Sequence, residues 1–251
     1  MSESMKWDDA ARGIELHRNA VVFRTVVLIV AILYALAQML SKSPAEPGGF
    51  AFILGLAELA ATIAALVGIA RFAARVPIDA GGLAMIGVFA LVVVVGIEIY
   101  TLWVLFKVMQ FLQAAKHAES MWNTPSMDIL DHVERLPTAQ IIAGIAGLVA
   151  VLVVLAVIAS VGRARGVLEL ARRAHGLVVA VVLLAIAYGA IMHWVEHARR
   201  ASDGELLMVL AGIAMFGLIV LASYIGTLTR AAAIMRRPPA GDLPEARLVD
   251  G

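Results

Sequence analysis

The chain has 251 residues, 62% of them apolar and only 16% charged, with a mean hydropathy of +0.92 and a net charge near +1. That composition excludes an ordinary water-soluble core, and the near-neutral balance excludes a nucleic-acid partner, because phosphate binding needs a concentrated basic face. The absence of cysteine excludes disulfides, iron–sulfur clusters, thiolate zinc sites and cysteine nucleophiles.

Apolar runs of about twenty residues are needed to cross a bilayer. Six occur, at about 20–40, 50–70, 83–106, 140–161, 177–196 and 206–229. The predicted fold is therefore all-α, a polytopic membrane helix bundle, because helices satisfy every backbone group where water is absent.

Taken in order, residues 1–19 read as an interfacial amphipathic segment, with Trp7, Ala11 and Ile14 on one face and charges elsewhere. The first span follows. Ala35-Leu36-Ala37 fits a signal cleavage site, but Asp8, Asp9 and the length of the run favour a retained span. A breaker-rich turn, Ser41 to Gly49, leads into the second span. A tight turn, Arg75 to Gly82, makes the second and third spans an antiparallel pair. The third run continues to about Glu119, so its helix is expected to project beyond the bilayer. An external loop at about 107–139 is predicted to carry a short helix, capped by Ser126 and ended by Pro137. The Pro/Gly-rich residues 238–251 read as a flexible tail.

Sidedness follows from the basic residues near span ends. One side holds fourteen of the twenty, including Arg18, Arg24, Arg71, Arg75 and the Arg163, Arg165, Arg172, Arg173 loop. The richer side is expected to be cytoplasmic, which puts both termini inside a plasma (inner) membrane. That arginine loop can recruit anionic lipid headgroups, although topology determination alone accounts for it.

Two acids, Glu58 and Glu98, fall within span cores, where a carboxylate needs a partner, a proton or a function. Each lies twenty residues from Ile78 at the turn, so both reach one depth in neighbouring helices. Glu58 shares a face with Gly55, Thr62 and Ala65, and Thr101 lies one turn beyond Glu98. Small residues on that face point it at protein. No sequence-local cation neutralises either carboxylate, and Lys107 is half a helical revolution away. Protonation, a shared proton or bound cation, or a basic group from another helix would resolve the charge. Glu58, Glu98, Thr62 and Thr101 are thus candidates for a proton or ion site. A neutral Glu acting as structural glue is the competing reading.

At the end of the fifth span, His193, Glu196 and His197 share a helix face, in a His-x-x-Glu-His spacing. His117 and His132 lie in the external loop. These are candidate ligands for a transition metal such as zinc or copper, against ordinary polar groups at a wet interface. No cofactor is otherwise predicted. No phosphate loop, nucleophile elbow or triad is present, so the reading favours a protein without catalysis of its own. The functions expected are a membrane subunit or scaffold packing with other subunits or its own copies; a proton- or cation-linked transporter using Glu58 and Glu98; and a metal-binding enzyme or redox subunit.

Overall fold

A computed structural model describes residues 3–40, 48–76, 80–117, 127–197 and 203–237. They form six helices: α1 (Glu3–Leu40), α2 (Gly48–Arg75), α3 (Gly81–His117), α4 (Met127–Ala164), α5 (Leu168–His197) and α6 (Asp203–Met235). Among the described residues there is no strand. All six are long and apolar enough to cross a membrane. Large apolar side chains such as Leu28, Ile53, Phe89, Ile145, Ile186 and Ile219 stand exposed along them, as a lipid environment permits and water does not. The expected cap at Ser126, the expected tail at 238–251, and residues 41–47, 77–79, 118–125 and 198–202 lie outside the described residues.

Two expected boundaries change. Residues 3–19 are not a separate interfacial stretch but the first turns of α1, continuous with its span. Their apolar face is covered by protein, with Trp7 only 4% exposed and Ala11 and Ile14 fully buried. Pro137 does not end a short helix either; it lies inside α4, ten residues past its start. Proline removes one hydrogen bond of the ladder, freeing the Val133 carbonyl. Residues 133–135 and 137–138 are exposed, so no buried partner has to be found for it. The external loop expected at 107–139 therefore shrinks to the interval between α3 and α4.

The chain divides into two compact units. One comprises residues 1–15, 69–85 and 151–251. Its buried residues include the small Ala10, Ala11, Ala174, Ala231 and Ala232 as well as the large Ile69, Phe72, Leu155, Ile158 and Leu228. Between helices in lipid the water-driven term is missing, so association rests on close packing, which alanine permits. Polar contacts frame this core. The Arg165 guanidinium lies 4.2 Å from the Trp7 ring centroid and donates to the Met235 carbonyl at 3.0 Å, capping the end of α6. Arg71 pairs with Asp9 at 3.0 Å, and Arg236 with Glu15 at 2.6 Å. Arg230 grips Glu169 through both guanidinium branches, joining α5 to α6.

The α4–α5 turn in the same unit depends on two glycines. The Val167 amide donates to the Gly162 carbonyl and the Gly166 amide to the Arg163 carbonyl, which is a Schellman closure. Gly166 sits at φ 69°, the left-handed region. Gly166→Ala is expected to cost about 1 kcal/mol, the penalty of a Cβ in that region. Detergent-unfolding midpoints of the two proteins would measure it; an unchanged midpoint would remove the turn from the list of determinants.

The second unit comprises residues 16–68 and 86–150. It holds the middle and C-terminal part of α1, most of α2 and α3, and the first half of α4. Ala61, Thr62, Ala65, Leu91, Val94 and Val104 are buried within it. The buried His17 places Nδ1 3.4 Å from the Ala65 carbonyl oxygen, tying α1 to α2. α2 and α3 approach closely at Gly55, where an added Cβ would lie 2.7 Å from a Leu102 methyl.

Candidate functional site

The charged centre of the second unit is assembled from three helices. The small-residue face of α2, Gly55, Glu58, Thr62 and Ala65, turns toward protein and lets α3 come near. That approach brings Thr62 against Glu98. The Thr62 hydroxyl lies 2.8 Å from Glu98 Oε1, and 3.1 Å from the Glu58 carbonyl oxygen of its own helix.

The cation comes from α1. Arg24 donates through Nε (3.1 Å) and Nη2 (2.8 Å) to Glu58 Oε1, and the same Nη2 reaches Glu98 Oε1 at 3.1 Å. One guanidinium thus spans the two carboxylates that residue counting put at a common depth. Charge counting places Arg24 only among the basic residues near the inner span ends. It lies four residues into the first apolar run, and that position was the available signal: a cation inside a span needs a counter-charge. Arginine suits the task because its planar fork presents several donors at fixed angles.

The two acids differ in setting. The Glu58 side chain is 45% exposed, and its Oε2 takes no hydrogen bond among the described residues. The Glu98 side chain is 14% exposed. Its Oε2 is shielded completely and has no hydrogen-bond partner among the described residues. A buried polar atom left so is uncommon, and a proton or an ion answers it.

Beside the three charges lies a cavity of about 640 Å³ among α1, α2, α3 and α4. Its polar lining is Arg24, Tyr34, Glu58, Glu98, Thr101 and Gln140. The remainder is aliphatic, with Leu54, Val94, Ile97 and Leu102 among the wall residues. α4 contributes Gln140, Ala143, Gly144 and Gly147, and a Cβ at either glycine would meet nothing within 4 Å. Of the four residues singled out from the sequence, Glu58, Glu98 and Thr101 line this space, and Thr62 supports Glu98 from behind.

The histidines are placed differently. His132 is held by the Tyr100 hydroxyl, 3.0 Å from Nδ1, and packs edge-on against Trp103 at 4.8 Å. Lys107 lies 6.0 Å from the Trp103 ring centroid. His193, Glu196 and His197 fall in the last turns of α5, and His117 ends α3, but their side chains lie outside the described residues. Among the described residues no three histidines or acids gather as a metal-binding group. The expected headgroup patch also divides. Arg165 turns inward to Trp7 and α6, whereas Arg163, Arg172 and Arg173 stay exposed.

Comparison with protein-family models, with curated proteins and with solved structures gives no match. The chemistry of the site has to be read from its own atoms. One guanidinium between two carboxylates leaves one negative charge in excess, in surroundings where Coulomb interactions are weakly screened. The arrangement can hold a proton or one monovalent cation.

Proposed function

We propose that this chain is a multi-pass membrane protein that carries a proton or a cation through the Arg24–Glu58–Glu98 site. The observation that supports the reading best is the pairing of a shielded, unpartnered Glu98 Oε2 with a cavity opening beside the same carboxylate pair. Ionisable groups inside spans that face a bundle interior or a cavity are features of ion and proton pathways. The excess of basic residues on one side, thirteen against six once Arg24 is set aside, supports a cytoplasmic location for both termini in a plasma (inner) membrane.

The test is flux in liposomes containing the purified protein, with an internal pH dye and sodium, potassium or an organic ammonium ion supplied outside in turn. At least one cation is expected to drive proton movement. Glu58→Gln and Glu98→Gln, which keep the shape and delete the charge, are expected to abolish it. Full flux in the double variant would end this reading.

A membrane subunit or scaffold remains the second reading. Its support is the exposed face of α4 that carries Ile141, Ile142 and Ile145, a surface another helix can approach. Recovery of a stoichiometric assembly after mild detergent extraction would favour it.

A further inference from the structure

Resting on the transport reading above, we infer that the cavity's cargo is a monovalent organic cation with an apolar body, and that it exchanges for a proton held by the carboxylate pair. Three observations converge on this.

The first is the charge count. Arg24 neutralises one carboxylate of two, so the site lacks one unit of positive charge. With neither proton nor cargo it would be anionic in a poorly screened place; with both it would be cationic. One or the other is favoured, and that alternation is exchange.

The second is that the two occupants have different places to sit. Glu98 Oε2 is wholly shielded, a position that admits a proton and nothing larger. Glu58 is nearly half exposed and keeps Oε2 without a hydrogen bond among the described residues, so a charged headgroup can rest against it. Cargo binding at Glu58 then ionises Glu98, whose proton leaves through the cavity that both carboxylates line, and charge is conserved in the step.

The third is the lining. A sodium or calcium ion stripped of water needs about six oxygens around it. The side-chain oxygens of this cavity of about 640 Å³ come only from Tyr34, Glu58, Glu98, Thr101 and Gln140, and both carboxylates already accept from Arg24; the rest of the wall is Leu, Val, Ile, Ala and Gly, so most of the space suits an apolar body. An organic cation carries its own apolar surface and needs only one counter-charge. Tyr34 adds an aromatic ring to the same wall, a surface that favours quaternary ammonium groups.

The experiment is calorimetric titration of the full-length protein in mild detergent with benzyltrimethylammonium. Benzylsulfonate, of similar shape and opposite sign, and tetramethylammonium, which lacks the apolar body, serve as comparators. Benzyltrimethylammonium is expected to bind, at least tenfold more tightly than either comparator. Its affinity should rise about tenfold per pH unit while the site is protonated, with close to one proton released per cation bound. Glu58→Gln should abolish binding. Gly144→Leu, which fills open space on the α4 wall, should weaken it at least tenfold. Because a variant can misfold, the comparison of the three ions on the unaltered chain decides the matter. Equal binding of the cation and benzylsulfonate, absence of cation binding, or binding without proton release would each overturn the inference. If sodium or potassium still drove Glu58- and Glu98-dependent proton flux, the transport reading would survive and only the choice of cargo would fall.

Discussion

Arg24→Gln is expected to destabilise the protein by about 2–3 kcal/mol, seen as an early transition in detergent-induced unfolding. Removing one partner of a fully buried ion pair costs about 3–5 kcal/mol, because the other charge stays behind without compensation. Here Arg24 and Glu58 are only half-buried by protein, so the loss falls at or just below the lower end of that range. Glu98, at 14% exposure, bears most of the loss. The triple variant Arg24→Gln, Glu58→Gln, Glu98→Gln should recover most of the stability, since neutral amides can hydrogen-bond one another where lone carboxylates cannot. If the single variant unfolded like the parent, the guanidinium would not be holding the two acids, and the site would have to be redrawn.

Trp7→Ala carries the other large effect, a loss of about 3–5 kcal/mol, the usual cost of deleting a buried aromatic side chain. Trp7 is 4% exposed, and the Arg165 guanidinium lies over its ring while reaching the Met235 carbonyl. Its removal opens a void and also strips the apolar cover from Arg165. A tryptophan merely resting in the headgroup layer would behave otherwise: its loss would weaken membrane binding and leave the unfolding midpoint in place. Unfolding monitored on the full-length protein distinguishes the two, and a midpoint equal to the parent's would restore the interfacial reading.

Much of the architecture was legible in the residues. Six apolar runs became six helices because length and hydropathy alone decide whether a segment can satisfy its backbone in lipid. The common depth of Glu58 and Glu98 followed from counting rise per residue outward from the turn at Ile78. The Gly55–Thr62 face was readable from its small residues.

What was missed has physical causes. Charge counting treats Arg24 as a span-end cation because the positive-charge rule sorts residues by side and carries no information about which helix lies across from a given residue. Its partners are 34 and 74 positions away, separations that periodicity cannot bridge. Residues 3–19 looked interfacial because an amphipathic face is equally satisfied by lipid or by protein; only the presence of Phe72, Leu170 and Met235 in the same unit decides between them. Pro137 looked like a terminator because proline weakens a helix, yet a single lost bond is tolerated within a long one.

The buried alanines of the first unit have a corollary for how this sequence can change. Ala10, Ala11, Ala174, Ala231 and Ala232 are each at most 2% exposed, so a larger side chain at any of them has to displace its neighbours. Mutational tolerance there should be asymmetric: trimming a neighbour is forgiven, whereas added bulk is not. Evolutionary drift through that region would then run along substitutions among alanine, glycine and serine, while the lipid-facing flanks exchange one large aliphatic for another freely.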